Sequence, residues 1–290
     1  MKMNAIQIKN VTKKYKDVTA LDNVSFSFDY GKIYGFLGRN GAGKSTLINI
    51  IANRIFADSG EITIDDIPAM ENMKIHDKIF CMSEADLYDG SLKVKELFKW
   101  IDRFYDDFDK TRAFEIAGKF NLDTNRKFKA LSKGYQSIFK LTVALSLNVP
   151  YVIFDEPVLG LDANYRELFY ELLLKDYETN ERTIIIATHL IEEVANIIEE
   201  VILIDKGKVL LQDNVGSLLE TGYSVSGLAH EVDTYCAGKN VIGYDELGNL
   251  KIAYVLGEKT PLPKTGNLSL SAMNLQKLFV KLTEKGGNRL

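Results

Sequence analysis

The glycine-rich segment GRNGAGKS, residues 38–45, places the strongest constraint on how this chain can fold. It matches the pattern G-x-x-x-x-G-K-[ST] at every fixed position. The apolar run IYGFLG leads into it, and STLINIIANRI follows with apolar residues at helical spacing. Such a loop lets backbone N–H groups close around phosphate oxygens, beside the positive end of the helix dipole. The sequence therefore predicts a strand, a phosphate-binding loop and a helix in that order.

The loop also predicts which groups would bind the nucleotide. Lys44 would reach the β and γ phosphates, and the Ser45 hydroxyl would bind Mg²⁺, which divides its coordination between protein and phosphate oxygens. The sequence contains no NKxD element, the usual mark of guanine specificity. Tyr15 offers an aromatic face on which adenine could stack, and a packing role is equally open. The loop residues expected to contact nucleotide are Gly38, Arg39, Asn40, Gly41, Ala42, Gly43, Lys44, Ser45 and Thr46.

Two adjacent carboxylates end a second apolar run, YVIFDEP, at residues 151–157. An unpaired buried carboxylate is strongly disfavoured, so Asp155 and Glu156 predict a metal ion, a positioned water, or both. The phosphate loop supplies the context for these carboxylates. We expect Asp155 to hold the Mg²⁺ through water and Glu156 to polarise the water that attacks the nucleotide.

Length and composition limit the alternatives. The 290 residues suit one large domain with an appendage, or two domains. A formal net charge of −4 argues against a dedicated nucleic-acid binder, which usually has a basic face. Cys81 and Cys236 lack CxxC spacing and predict neither a disulfide framework nor a zinc site, so a reducing cytoplasm fits best. No window approaches 18 uninterrupted apolar residues, so we expect no membrane span.

The order of strand and helix patterns predicts an α/β fold. Residues before the phosphate loop alternate apolar and polar side chains, as half-exposed strands do, and residues 91–148 are helical in pattern. From residue 151 onward, short apolar strands alternate with helices, which is typical of a parallel sheet covered on both faces. Beyond about residue 215 the pattern changes to a small α+β unit.

Six motifs, taken in their order along the chain, resemble those of the nucleotide-binding subunits of ATP-binding cassette (ABC) transporters. The resemblance runs from about residue 4 to residue 215. Tyr15 resembles the family's adenine-stacking aromatic residue, GRNGAGKS its phosphate loop, and IFDEP its magnesium and base element. LSKGYQ, residues 131–136, resembles its signature motif. GLD, ending at Asp162, resembles its D-loop, and His189 in ATHL resembles its switch histidine.

The resemblance implies an α/β fold of the P-loop NTPase class. An ABC-ATPase domain, residues 1–215, would combine a RecA-like core, an antiparallel β subdomain and a helical subdomain at about residues 91–148. A small C-terminal α+β accessory region, residues 216–290, would follow it. ATP and Mg²⁺ would be the cofactors.

The family pairs two nucleotide-binding subunits head to tail, so the resemblance implies a homodimer or a heterodimer. Ser132, the backbone of Gly134 and the helix that follows would then bind the nucleotide held by the second subunit, with Asp162 nearby. The implied activity is ATP hydrolysis coupled to transmembrane transport. The implied catalytic residues are Glu156, His189 and Lys44.

Three departures from the family pattern affect these expectations. The usual LSGGQ reads LSKGY, so Lys133 and Tyr135 replace a glycine and a glutamine, and we expect a weakened or retuned contact with ATP across the dimer. Replacing Lys133 by glycine should therefore change the turnover rate. Glu84 stands where the family generally has a glutamine that contacts Mg²⁺; we include it among the metal-binding candidates, since it would compete for the cation or shift its charge balance. Residues 216–290 lie outside the common domain.

These departures resemble the ATPases of ABC-2-type exporters, and among them those that export phenol-soluble modulins, which are amphipathic peptide toxins. The resemblance implies export through separate permease subunits that dock near Glu84–Phe108, a peripheral position on the cytoplasmic face of the membrane, and no nucleic-acid partner. The alternative is a soluble ABC protein acting on ribosomes or DNA, although such proteins generally carry two cassettes or long coiled coils. A kinase or transferase would need an acceptor site and would not explain LSKG together with the switch histidine.

Two helical patterns have open roles. Between residues 94 and 108, seven apolar residues share one face, which predicts core packing; the alternative is a groove for a partner's helix, lined by Trp100 and its aromatic neighbours. In the last helix a cation recurs every fourth residue, which predicts a solvated side or a strip that touches anionic lipids. These residues are Val94, Leu97, Phe98, Ile101, Phe104, Tyr105 and Phe108 in the first, and Lys277, Lys281, Lys285 and Arg289 in the last.

Overall fold

The computed structural model describes residues 4–83, 85, 87–263 and 267–285. Within these ranges the chain forms three β-sheets. The strands are β1 (Asn4–Tyr15), β2 (Val18–Asp29), β3 (Ile33–Leu37), β4 (Ser59–Ile64), β5 (Ile67–Pro68), β6 (Ile79–Met82), β7 (Tyr151–Asp155), β8 (Thr183–Thr188), β9 (Glu200–Asp205), β10 (Lys208–Asn214), β11 (Gly222–Leu228), β12 (Val241–Leu247), β13 (Leu250–Leu256) and β14 (Ser269–Ala272). The helices are α1 (Lys44–Ile51), α2 (Met73–His76), α3 (Val94–Phe104), α4 (Lys110–Lys119), α5 (Lys133–Ser146), α6 (Ala163–Thr179), α7 (Ile191–Val194), α8 (Val215–Thr221), α9 (Ala229–Cys236) and α10 (Leu275–Lys285).

The central sheet has six strands in the order β10-β9-β3-β8-β7-β6, and all of them are parallel except β10. Every residue of β3, β7 and β8 is buried. Strands that are covered on both faces read as continuous apolar runs, which is why IYGFL and TIIIAT do not alternate. The predicted parallel sheet is confirmed, and the carboxyl ends of β3, β6, β7 and β8 lie at one edge.

The second sheet is antiparallel, in the order β2-β1-β4-β5, and shares a hydrophobic core with one face of the central sheet. Phe28 contacts Tyr34 edge-on, with ring centroids 5.0 Å apart, and Phe26 lies 5.8 Å from Phe36. Apolar side chains of α1 complete this core. This sheet is the antiparallel β subdomain that the family resemblance implies.

The helices α3, α4 and α5 form a helical segment between β6 and β7. Its core is aromatic, and Phe98 stacks on Phe139 with ring centroids 5.4 Å apart and planes inclined by 12°. The first four residues of the predicted apolar face are buried, as predicted. Phe104 is 75% exposed, so the prediction that it packs in the core is wrong. Because α3 ends at Phe104, Tyr105 and Phe108 follow on non-helical backbone, and Phe108 reaches the core from there.

The third sheet, in the order β12-β13-β11-β14, is antiparallel and lies in the C-terminal region. The helix α9 packs against β11 and β13, and α10 contacts β12, α7 and α8. Val215, Leu218 and Phe279 belong to the same hydrophobic cluster as the central sheet. The C-terminal region therefore shares a core with the rest of the chain, and a domain boundary at about residue 215 stays a proposal.

The cations of α10 form ion pairs within the chain. Lys281 is 4% exposed, and its ammonium lies 2.5 Å from the carboxylate of Asp245. Lys277 lies 3.0 Å from the same carboxylate. Lys281 is therefore neither on a solvated side nor in a strip that faces lipids, so both interpretations are wrong for it. The side chain of Lys285 and all of Arg289 lie outside the described residues.

Replacing Asp245 by Asn should destabilise the C-terminal sheet by about 1 kcal/mol, the upper range for partly exposed ion pairs. The Lys281 ammonium and the Tyr254 hydroxyl hold the pKa of Asp245 well below its usual range. Because the folded pKa is depressed, this stabilisation is present above the unfolded pKa of about 3.9 and is lost as the pH falls toward the folded pKa. In thermal unfolding, the difference between wild type and variant should be largest near pH 7 and narrow from about pH 4 to about pH 2. A difference that does not change with pH would contradict this role.

Candidate functional site

The phosphate loop runs from the end of β3 to the start of α1, as the sequence predicts. Gly41 and Gly43 have φ angles of 79° and 111°, in the left-handed region that favours glycine. A Cβ on Gly43 would lie 2.6 Å from the carbonyl oxygen of Ala20. Glycine at this position therefore lets the loop close against β2, so that α1 begins at Lys44.

Lys44 is the first residue of α1 and is only 5% exposed. Its ammonium donates a hydrogen bond to the carbonyl oxygen of Gly38 at 2.7 Å and lies 3.6 Å from a carboxylate oxygen of Glu156. Burial lowers the pKa of Lys44, and the carboxylates of Glu156 and Asp155 act in the opposite direction. The loop thus curls around its own lysine and holds the ammonium against the neighbouring carboxylates.

Asp155 ends β7 and Glu156 follows it, so both carboxylates lie at the carboxyl edge of the central sheet. The Ser45 hydroxyl donates a hydrogen bond to Asp155 at 3.3 Å. Glu156 has a φ of 49°, which is uncommon for a residue with a side chain, and its N–H donates to the carbonyl oxygen of Ala187 at 2.9 Å. The backbone turn at Glu156 is thereby fixed to β8.

Two residues at the end of β8 hold the side chain of Glu156. The Thr188 hydroxyl donates to one carboxylate oxygen at 2.9 Å, and His189 Nδ1 lies 2.9 Å from the other. The N–H of Leu190 donates in turn to the Thr188 hydroxyl at 3.0 Å. Thr188 was not predicted from the sequence, although its place directly before His189, at the end of a buried strand, indicates such a role.

Residues 39–46, Glu156 and His189 line one cavity of about 770 Å³, which we call the nucleotide cavity, and Gly38 does not line it. Tyr15 is not among its lining residues; the residue is 47% exposed, and Lys13 Nζ lies 5.6 Å from the centroid of the Tyr15 ring. Lys206, in the turn between β9 and β10, lines the cavity and was not predicted. The lining residues are Val18, Thr19, Ala20, Arg39, Asn40, Gly41, Ala42, Gly43, Lys44, Ser45, Thr46, Glu156, Leu159, His189 and Lys206.

The signature segment and the D-loop segment begin their helices in the same way. Ser132 accepts a hydrogen bond from the Tyr135 N–H at 3.3 Å at the start of α5, and Asp162 accepts one from the Tyr165 N–H at 3.0 Å at the start of α6. The two tyrosine hydroxyls lie 3.2 Å apart. A Cβ on Gly134 would lie 3.0 Å from a carbonyl oxygen of the D-loop segment. The two segments therefore pack together, and their cap residues do not line the nucleotide cavity of the same chain.

The tyrosine pair should stabilise the contact between the two segments. Tyr135→Phe and Tyr165→Phe are each expected to cost about 1 kcal/mol of unfolding free energy, because either change removes the hydrogen bond. The double variant should be no less stable than either single variant, since it loses only the same bond. Guanidinium denaturation of the four proteins measures this coupling. Losses that simply add would show that the hydroxyls do not interact in solution.

The site offers oxygen atoms to a metal ion. The Ser45 hydroxyl and the Asp155 carboxylate lie 3.3 Å apart, and such oxygens suit Mg²⁺, which keeps waters and phosphate oxygens as its other ligands. Over residues 4–83, 85, 87–263 and 267–285, no group of three or more His, Cys, Asp or Glu residues could hold a metal ion. The oxygens of Ser45 and Asp155 fit the ligand preference of Mg²⁺. Glu84, the other metal-binding candidate, lies outside the described residues.

Comparison with known proteins places the chain in a family. The family described as "ABC transporter" matches residues 21–159. The ABC transporter ATP-binding protein NatA of Bacillus subtilis (strain 168) is 30% identical over 216 residues, which span 72% of this chain and 87% of NatA. The chain belongs to the ABC transporter family of ATP-binding proteins. The ABC transporter ATP-binding protein YtrB of the same organism is 29% identical over 189 residues, which span 65% of this chain and 65% of YtrB, just under two thirds.

A solved structure of the ABC family has the same fold. The dimeric, post-hydrolysis state of the ATP-binding cassette MJ0796, bound to ADP and Pi, is 28% identical to this chain, with a TM-score of 0.66 over 72% of this chain and 98% of that one. The chain thus carries an ABC ATPase domain. None of the helices in the described ranges has the length and apolar character of a transmembrane segment.

The names of other ABC relatives include both directions of transport. A Nod factor export ATP-binding protein of Rhizobium etli (strain ATCC 51251 / DSM 11541 / JCM 21823 / NBRC 15573 / CFN 42) is 28% identical, and the match spans 76% of this chain and 71% of that protein. A methionine import ATP-binding protein of Staphylococcus haemolyticus (strain JCSC1435) is 29% identical, and the match spans 74% of this chain and 67% of that protein. The family is therefore confirmed, and the predicted export stays a prediction.

Proposed function

We propose that this ABC protein is the ATP-hydrolysing subunit of a transporter and powers transport through separate membrane subunits. The position of Glu156 carries the proposal. Its carboxylate lies 3.6 Å from the Lys44 ammonium and is bound by Thr188 and His189, inside the cavity that the phosphate loop lines. A carboxylate held beside a phosphate-binding loop can orient a water for attack on the terminal phosphate.

Each group at the site has a proposed part in hydrolysis. The loop backbone and Lys44 would bind the phosphates and stabilise the charge of the transferring phosphoryl group. Ser45 and Asp155 would hold Mg²⁺, which supplies charge neutralisation when bound. Glu156 would orient the attacking water and accept its proton. His189, together with Thr188, would keep the carboxylate turned toward that water.

We further propose that two such subunits complete each site together. Ser132, Gly134 and Asp162 lie on a surface outside the nucleotide cavity of their own chain. The 14-residue helix α5 begins there, and its N-terminus supplies the positive end of a helix dipole. An anion held by a second chain would suit this surface. The dimeric MJ0796 cassette supports the pairing by family likeness.

The permease contact is proposed at a groove between the central sheet and the helical segment, which would hold the chain at the cytoplasmic face of the membrane. This groove cavity has a volume of about 390 Å³. Trp100 does not line this cavity: it is one residue from Ile101, hence about 100° around the helix, and stacks on Phe104 at 6.1 Å. Tyr105 lines the groove in its place. Other lining residues include Arg54, Phe80, Leu87, Tyr88 and Ile101.

Tyr105→Ala should weaken copurification with the permease by at least about tenfold, as loss of a central interface aromatic usually does. The matched control is Trp100→Ala, which removes an aromatic ring five residues earlier in the same segment but outside the groove. Pull-down from detergent-solubilised membranes, quantified against wild type, measures both. A larger loss in Trp100→Ala than in Tyr105→Ala would contradict the proposed docking surface.

The proposed direction is export, and the proposed cargo is an amphipathic peptide. The support is the resemblance to ABC-2-type exporters, and to those of phenol-soluble modulins in particular. The test uses inside-out vesicles that contain the membrane protein of a neighbouring gene with about six apolar 20-residue spans. ATP and the wild-type chain should drive uptake of a labelled amphipathic peptide, and Glu156→Gln should not. Hydrolysis without uptake, or copurification with ribosomes or DNA instead of a permease, would contradict the proposal.

A further inference from the structure

Lys140 is a buried cation in the middle of α5. It is 5% exposed, and its ammonium donates hydrogen bonds to the carbonyl oxygens of Ser83 at 3.3 Å and Ala85 at 3.1 Å. A lysine is almost never buried in this way unless its charge has partners, because removing the ammonium from water is costly. The side chain therefore ties α5, which begins at the signature segment, to the backbone that follows β6.

Lys140 also lies between two cavities. It lines the groove cavity and a second cavity of about 320 Å³, which we call the carboxylate cavity. Asp155 and Glu156 line the carboxylate cavity, and Ser83 lines both cavities. The hydrogen bonds of one ammonium thus reach the backbone that separates the proposed permease surface from the proposed catalytic carboxylates.

The strand order brings this backbone beside the carboxylates. β6 and β7 are parallel neighbours, and Met82 is paired with Phe154. Ser83 follows Met82 as Asp155 follows Phe154, so Ser83 lies at the same edge of the sheet as the carboxylates. Neighbouring strands are about 5 Å apart. The backbone at Ser83 therefore lies beside the strand end that carries Asp155 and Glu156.

We infer that Lys140 is a positioning residue for ATP hydrolysis, which fixes the backbone at Ser83 and Ala85 to α5 so that the groove and the catalytic carboxylates move together. The inference rests on the proposed function, because it assigns Lys140 a part in the same reaction. Lys140 does not line the nucleotide cavity. Its loss should therefore slow the chemical step and leave nucleotide binding nearly unchanged.

The kinetic test compares three variants with wild type. Lys140→Met keeps most of the apolar stem and removes the donors, whereas Lys140→Arg keeps a cation that can donate. Lys175→Met, which removes an exposed lysine of α6, is the control. We expect kcat to fall about tenfold in Lys140→Met while KM for ATP stays within about twofold, and Lys140→Arg to recover most of the rate. Lys140→Gln replaces the methionine variant if that variant does not fold.

Hydrogen exchange without nucleotide tests the contact itself. In Lys140→Met, peptides that cover residues 79–88 should exchange faster than in wild type, and peptides of the phosphate loop should not change. This measurement does not depend on ATP hydrolysis. If the wild-type chain hydrolyses no ATP, the proposed function fails, and the exchange data still show whether Lys140 holds this backbone.

Several outcomes would overturn the inference. Unchanged exchange over residues 79–88 would show that Lys140 does not fix this backbone, and faster exchange with an unchanged kcat would show that fixing it does not serve the reaction. A general rise in exchange, or an equal loss of kcat and of nucleotide affinity, would indicate a merely structural lysine. Three results would together support the inference: faster exchange confined to residues 79–88, a loss of kcat without a loss of nucleotide affinity, and recovery of the rate by Lys140→Arg.

Discussion

Glu156→Gln is expected to slow ATP hydrolysis by about 100- to 10,000-fold, the range that a general base contributes. The glutamine amide keeps the size of the side chain, and its oxygen can still accept the hydrogen bond from Thr188. It cannot take a proton from water. ATP affinity should therefore persist, because the loop and Lys44 are unchanged. Phosphate release at saturating ATP, together with nucleotide titration, measures both effects.

A matched control separates this effect from a general loss of negative charge. Glu193→Gln removes a carboxylate of α7 that pairs with Arg166 at 2.6 Å, outside the nucleotide cavity. It should hydrolyse ATP at nearly the wild-type rate. Hydrolysis at the normal rate in Glu156→Gln, or an equal loss in both variants, would contradict the role that we assign to Glu156.

Lys44→Met should weaken binding of ATP and ADP by at least about 100-fold, which corresponds to about 3 kcal/mol. Lys44 is the buried cation inside the phosphate loop, and methionine keeps its apolar stem while removing the charge that would meet the phosphates. The fold should persist, because burial already disfavours the charged form of Lys44. Equilibrium titration with a fluorescent nucleotide measures the affinity, and thermal unfolding without nucleotide checks the fold.

The control for this change is Lys208→Met, which removes a lysine with a 65% exposed side chain and its 3.1 Å ion pair with Asp22. That variant should bind nucleotide as wild type does. If Lys44→Met keeps wild-type affinity for ATP, the phosphates do not occupy the loop as proposed.

The parts of the fold that one physical rule decides were predictable from the sequence. Continuous apolar runs predicted the buried parallel strands, because covering both faces removes any need for alternation. The apolar spacing of IEEVANII, residues 191–198, is typical of a helix over its whole length, but α7 ends at Val194. After it, Ile198 packs against β3, where a Cβ on Gly35 would come within 2.6 Å of its Cδ1. A tertiary contact thus overrides the local helical preference.

The site was predictable to a similar extent, and for a related reason. The phosphate loop, Asp155 and Glu156 followed from residue spacing, because loop geometry and strand ends fix where those groups lie. Other features depend on which way a side chain points in three dimensions. They are the contacts of Thr188 and Lys140, and the presence of Tyr105 rather than Trp100 in the lining of the groove cavity. A helix that ends one residue earlier or later changes that direction, and element ends are what local patterns determine least well.

The rate of ATP hydrolysis per chain, measured as the concentration of the purified wild-type protein is raised, tests the central claim most directly. If two copies together enclose each nucleotide between the phosphate loop of one and the signature segment of the other, the rate per chain should rise with concentration and then level off. A rate per chain that is constant over the whole range, or no hydrolysis at any concentration, would contradict the account.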